Sequence, residues 1–150
     1  MRTVVAAVDF SDVSPDVVAA AVGLASGADA TVWLVHVAAP DPDFAGYSTG
    51  PQEVRDAVAD ALRADHRELE ALARSAAVPG VRVEPLMVRG PTVDTLVAKA
   101  ADLAADVIVV GSHGRGALLR AVLGSVSEGV VRRAGRPVLI VPSRAEETGG

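Results

Sequence analysis

The chain has no cysteine and few aromatic residues: two Phe, one Trp and one Tyr among 150 residues. Without cysteine there are no disulfides, no thiolate nucleophile and no cysteine-ligated zinc or iron–sulfur centre, and the composition fits a reducing compartment. Aromatics make up 3% of a sequence that is 50% hydrophobic, so the core must be built from Val, Leu, Ile and Ala. Basic charge is also scarce. The formal net charge is −5, which argues against non-specific nucleic-acid binding, because phosphate neutralisation needs a basic surface. No apolar run reaches the roughly 20 residues that span a bilayer, and the apolar start is too short for a signal-peptide core. The reading is therefore a soluble cytoplasmic protein with neither a nucleic-acid nor a membrane partner. The three histidines, His36, His66 and His113, have no metal-ligand spacing such as HExxH. No Ser-His-Asp set is legible, so no catalytic residue is assigned.

What is present is an alternation of elements. Thr3–Val8 is an apolar strand ending at Asp9, and Ser14-Pro15-Asp16 offers an N-cap, a first-turn proline and a first-turn acid. The helix should run to Ser26 and stop at Gly27. Ala30–Val37 is a second strand. Residues 38–51 are rich in Pro, Gly and Asp and predict a long loop with the character of a lid. Gln52–Ala77 predicts a long amphipathic helix with Val54, Val58, Ala61, Leu62, Leu69, Leu72 and Ala76 on its apolar stripe. Val81–Val88 is a third strand, and its internal Pro85 places it at a sheet edge. A helix opens at Gly90-Pro91 and runs to Ala104; Val107–Val110 is strand four; Ser125–Ala134 is a helix; Pro137–Val141 is strand five. Ser143–Gly150 is a polar tail expected to be disordered. Strict βα alternation gives an α/β fold, a single doubly wound open parallel sheet of five strands with helices on both faces. Ligands of such sheets bind beyond the carboxyl ends of the strands, where the winding reverses.

The stretch Gly111–Ser125, GSHGRGALLRAVLGS, sits where such a ligand would be held. A buried strand, a glycine-bearing loop and a helix start make a cradle for an anion: backbone N–H groups approach phosphate where no Cβ intrudes, and the helix dipole favours negative charge. It is not a Walker A motif, because no Gly-Lys-Ser/Thr occurs and no lysine lies between residues 100 and 150. Nor is it the dinucleotide fingerprint, since it follows the fourth strand and its spacing differs. Its spacing is Gly111-x2-Gly114-x9-Gly124-Ser125. Ser125-x-x-Glu128 also fits a capping box, with the Ser125 hydroxyl accepting from the Glu128 amide; the same hydroxyl has the alternative of donating to phosphate.

The segment VIVVGSHGRGALLRAVLGSVSEGVVRRAGRPVLIVP, with VVAAVDFSDVS, LVHV and RGPTVDTLVAKAADLAADVIVVG upstream, closely resembles the universal stress protein family, in its nucleotide-binding branch. The resemblance covers residues 2–142 apart from the loop near 39–51, and implies a domain of residues 1–142 followed by the tail. It implies strand order 3-2-1-4-5 and a homodimer through Pro137–Val141. It also implies ATP as ligand, with Mg as a candidate companion held through Asp9. Gly111, Gly114, Gly124 and Ser125 would surround phosphates and ribose. Ser112, His113, Arg115 and Gly116 share the loop, flanked by Val110 and Val126, and Arg115 is the local counter-charge to a triphosphate. Asp9 matches the acid that contacts ribose or adenosine, against the plainer reading of a cap in the DFSD turn. Ala7 and Val37 match apolar or backbone contacts to the base, and Met87 and Val88, at the end of strand three, are expected to line the same pocket; the alternative for all four is plain core. The implied function is a universal stress protein in which ATP occupancy regulates dimer or partner contacts in a stress response, the protein partner being unknown. The alternatives are a slow ATP hydrolase and a binding module for another adenine nucleotide such as cyclic AMP.

Overall fold

The computed structural model describes residues 1–38, 52–112 and 123–142. The expected loop at 39–51, the tail 143–150, and His113, Gly114, Arg115 and Gly116 of the glycine loop lie outside the described residues. The elements run β1 (Thr3–Ala7), α1 (Ser14–Ala25), β2 (Thr31–Ala38), α2 (Gln52–Ala76), β3 (Arg82–Arg89), α3 (Thr92–Asp102), β4 (Val107–Gly111), α4 (Ser125–Arg133) and β5 (Val138–Val141). All strand pairs are parallel, in the order β3-β2-β1-β4-β5. This is the doubly wound sheet that the alternation predicts.

Two apolar layers sandwich the sheet, because alternate side chains of a strand face opposite ways. Val4, Ala6, Val32, Leu34 and Val109 face one layer, which holds Val17, Val18 and Ala21 of α1 and Leu69 and Ala73 of α2. Val5, Val35, Ile108 and Val110 face the other, with Leu96 and Ala100 of α3 and Val130 of α4. The central strands β1 (TVVAA) and β4 (VIVVG) read as continuous apolar runs because both of their faces are covered. The edge strands β3 and β5 are only partly buried. Pro85 sits in β3, at the edge its missing donor requires.

Four local expectations are corrected. Ser14 is the first helical residue of α1, after an N-cap Val13 that makes no side-chain cap. On α2, Ala61 is exposed and Ala73 is buried, so the covered stripe lies toward the C-terminal end. A helix of 25 residues is about 37 Å long, whereas the eight-residue strands β2 and β3 measure about 26 Å. The N-terminal part of α2 therefore runs beyond the carboxyl ends of the strands. Met87 faces the α1/α2 layer while Val88 faces the α3/α4 layer, so the two do not line one pocket. The fourth correction, the capping box, belongs to the site.

At the opposite end of the sheet, the Asp106 carboxylate accepts from the backbone N–H groups of Arg2 (2.7 Å) and Thr3 (3.0 Å). Those two bonds hold its pKa below the usual aspartate value, and they fasten the start of β1 to the start of β4.

Candidate functional site

The winding reverses between β1 and β4, which are neighbours although α1, β2, α2, β3 and α3 separate them in sequence. The helices following them, α1 and α4, start at the same end of the sheet, on opposite faces. The register pairs Ala6 with Val109. Counting on, Ala7 and Val110 stand side by side, and Asp9 and Ser112 follow just past the strand ends. Ala7, Val37, Val88 and Val110 all belong to the α3/α4 layer, so the apolar candidates share one face at one end of the sheet. Val110 is fully buried; the other three are half-buried.

The turn after β1 has a defined shape. Asp9 Oδ1 accepts from the Ser11 backbone N–H (2.9 Å) and from the Ser14 hydroxyl (3.1 Å). The plainer reading of Asp9, a cap in the DFSD turn, is thus realised, with Ser14 serving as a donor to it. The carboxylate remains exposed. Phe10 has φ of 60°, a left-handed conformation that costs about 1–3 kcal/mol for a residue with a Cβ and that tends to be held where a backbone must be shaped. Its ring lies 4.5 Å from the His36 ring, centroid to centroid. The His36 Nδ1 is 2.7 Å from the Val8 carbonyl oxygen, and its Nε2 is 3.7 Å from the Asp65 carboxylate on α2. Next to Phe10, the Ser11 hydroxyl oxygen is shielded from solvent and is the one buried side-chain polar atom without a hydrogen-bond partner among the described residues. Buried polar groups are rarely left without a partner, so this hydroxyl stands out.

The two ends of the glycine loop are clamped together. The Gly124 N–H donates to the Ser112 carbonyl at 2.7 Å. The Ser127 hydroxyl, itself buried, donates to the carbonyls of Ser112 and Gly124, both at 3.0 Å. The Ser112 N–H donates to Val141 at 2.8 Å, which carries the β4–β5 ladder one step further. The bond from Gly124 fixes it as the N-cap of α4, so Ser125 becomes the first helical residue and the expected capping box does not form. The Glu128 carboxylate instead pairs with Arg132 one turn on, at 2.9 Å. With glycine at the N-cap, no side chain caps the first amides of α4. Ser125 and Val126 are exposed there, and a helix N-terminus left in this condition suits an anion.

Sequence reasoning missed Ser127, Ser14 and His36 as parts of the site. Ser127 has no motif signature, Ser14 resembled a helix cap, and His36 was an isolated polar residue in an apolar strand. Among the described residues no group of three or more His, Asp or Glu side chains could hold a metal ion, and no helix is long and apolar enough to cross a membrane. A concavity of about 460 Å³ lined by Asp29, Thr31, Gly80 and Arg82 opens at the amino ends of β2 and β3. It is open and polar, and it lies at the other end of the sheet from Asp9 and Ser112.

The fold is that of a doubly wound α/β protein, with its topological switch point between β1 and β4. Residues 1–142 match the model of the universal stress protein family, and the chain belongs to that family. The universal stress protein MJ0531 of Methanocaldococcus jannaschii is 31% identical over 147 residues, covering 97% of this chain and 85% of that protein. Among solved structures, the hypothetical protein MJ0577 superposes with a TM-score of 0.80 at 23% identity, over 94% of this chain and 95% of that one. A universal stress protein in complex with cAMP superposes with a TM-score of 0.66 at 30% identity, over 95% of this chain and 97% of that one.

Proposed function

We propose that the chain is an ATP-binding universal stress protein of the cytoplasm. The nucleotide lies across the carboxyl ends of β1 and β4, and its occupancy regulates contacts with a second copy or a protein partner. The observation that carries this reading is the convergence of Asp9 with the clamped Gly111–Ser112 and Gly124–Ser125 ends of the glycine loop. The uncapped start of α4 offers backbone donors to phosphate. Asp9 is a hydroxyl acceptor and fits ribose rather than phosphate, which it would repel. Ala7, Val37, Val88 and Val110 supply the apolar face for a base, and the unpartnered Ser11 hydroxyl is a further polar group awaiting a ligand. In sequence, His113, Gly114, Arg115 and Gly116 complete the loop. Magnesium would arrive with the triphosphate, with Asp9 as its candidate protein ligand.

A second reading replaces ATP by another adenine nucleotide, on the strength of the relative in complex with cAMP. Hydrolysis is the weaker alternative, because no described residue is placed as a general base beside the phosphate side of the proposed site. Mass spectrometry of ligand released from freshly purified protein, followed by calorimetric titration with Mg-ATP and cAMP in competition, separates these readings. We expect an adenine nucleotide, with ATP preferred and its affinity abolished in Gly114→Val. Absence of binding by any adenine nucleotide defeats the reading, and preference for cAMP selects the second one.

A further inference from the structure

We propose that self-association of this chain through its sheet stops at two copies, because Pro85 closes the β3 edge to pairing while the β5 edge stays open. The inference rests on the reading above in which a second copy is a regulated contact, here one made along β5. Among the described residues, β3 and β5 are the two outer strands of the sheet. β3 has eight residues and β5 has four, so on length alone β3 is the better template for another strand. Its backbone works against that. The Arg82 N–H donates to the Ala30 carbonyl and the Gly90 N–H to the Ala38 carbonyl, both at 3.3 Å. Between these ends the register with β2 is unbroken, from Thr31↔Arg82 to Ala38↔Arg89. Backbone groups of a parallel strand alternate sides residue by residue. The even-numbered residues of β3 therefore face β2, and Val83, Pro85, Met87 and Arg89 direct their backbone groups outward.

Pro85 thus stands mid-strand with its backbone on the outward side. It has no N–H to give, and its ring Cδ occupies the direction in which a donor would point. A two-fold pairing of two β3 edges in one continuous sheet is antiparallel, so the Arg82 end of one copy lies against the Arg89 end of the other. Both arginines are exposed, and like charges set opposite each other across a strand pair are unfavourable. Such a pairing loses a central rung and brings like charge to both of its ends. A β5 edge laid along β3 meets the same missing rung. β5 differs: its strand VLIV carries neither charge nor proline. Pro137, just before it, accepts from Ile108 of β4 through its carbonyl. Its missing donor therefore lies on the inner side and takes nothing from the outward groups of Val138 and Ile140. Growth of a sheet from copy to copy needs two usable edges per chain, whereas one usable edge gives a closed pair.

Multi-angle light scattering over a wide concentration range tests this on wild type, Pro85→Val, Pro85→Thr and the double variant Pro85→Val with Leu139→Lys. Restoring an N–H at residue 85 removes no bond to β2, so the far-UV spectrum should stay that of wild type. Wild type should level off at twice the chain mass. Pro85→Val and Pro85→Thr should pass that plateau, with a mass that rises with concentration. Adding Leu139→Lys, which puts a charge on the β5 edge, should return Pro85→Val to no more than two chains, now joined at β3. Hydrogen exchange locates the new contact: the Val83 and Met87 amides should slow with concentration in the Pro85 variants and not in wild type. Should Pro85→Val not fold, Pro85→Thr decides. A wild type that grows beyond two chains overturns the proposal, and so do folded Pro85 variants that stay at the wild-type plateau. A wild type that is monomeric at all concentrations defeats the β5 reading instead. Closure by Pro85 then stands if the Pro85 variants self-associate through β3 and falls if they do not.

Discussion

Ser127 shows how a residue with no motif signature can decide the geometry of a motif. Its hydroxyl spans the Ser112 and Gly124 carbonyls, the last described residue before the loop 113–122 and the N-cap after it. Ser127→Ala leaves neither carbonyl orphaned, because Ser112 still accepts from Gly124 and Gly124 still accepts from Glu128. The stability cost should therefore be only about 1 kcal/mol. If the clamp sets the separation of the two loop ends, ATP affinity should fall by about fivefold, a comparable free energy. Urea unfolding and calorimetry on the same sample measure both; unchanged affinity with reduced stability would confine Ser127 to a structural role. At this scale the sequence is uneven in what it reveals. The places of Gly111, Gly124, Ser125 and Asp9 at strand and helix ends were legible because spacing and strand ends are one-dimensional properties. The donors to Asp9, the Ser127 clamp and the His36 contacts were not, because they join residues through tertiary folding. The capping box failed for the same reason: a hydrogen bond from Gly124 to Ser112, 12 residues away in sequence, displaced Ser125 from the cap.

Helices α3 and α4 meet closely at Gly129. A Cβ placed there would lie 2.9 Å from Val93 Cγ2 and 3.2 Å from Cγ1, and an ion pair between Arg133 and Asp94 flanks the contact. Two effects oppose each other in Gly129→Ala. Helix propensity favours alanine by about 1 kcal/mol, while overpacking against a stiff β-branched side chain costs about 1–3 kcal/mol. The steric effect should win, with a net loss of about 1 kcal/mol. In a Val93→Ala background the clash is gone, and the same substitution should stabilise by about 1 kcal/mol. Urea midpoints for the four proteins of this double-mutant cycle give the coupling; an effect of the same sign in both backgrounds would remove the packing argument. The elements themselves were largely legible. Short apolar runs gave β1 and β4, Pro85 gave the edge, and glycines such as Gly27 and Gly135, with positive φ, gave the stops. The overhang of α2 was not, because periodicity reports an apolar stripe but not how much sheet is available to cover it.

For the whole molecule, the question posed by the fold is the edge at β5, the last strand of the sheet among the described residues. The Pro137 and Val141 carbonyls accept from Ile108 of β4 and from Ser112 just past its end. Backbone groups of a parallel strand alternate sides residue by residue, so Val138 and Ile140 direct theirs away from the sheet. Leu139 remains 38% exposed at the same edge, and Leu123, Val126 and Val131 are exposed on and beside the neighbouring helix α4. A short apolar strand whose outward backbone groups meet no other strand among the described residues invites pairing with a second copy. A dimer joined there would abut β4 and α4, which supply the phosphate side of the proposed site, so nucleotide occupancy and assembly would share one structural unit. Leu139→Lys keeps the β4 ladder and adds a charge at the edge. Multi-angle light scattering should give twice the 15.2 kDa chain mass for wild type and a shift toward the single chain for Leu139→Lys, with the far-UV spectrum unchanged. ATP added to wild type should shift the dissociation constant of the dimer, and added to Leu139→Lys should bind with little change in affinity if each site is complete within one chain. A wild type that is monomeric at all concentrations, with or without ATP, would refute assembly through β5 and leave regulation to contacts with a different partner.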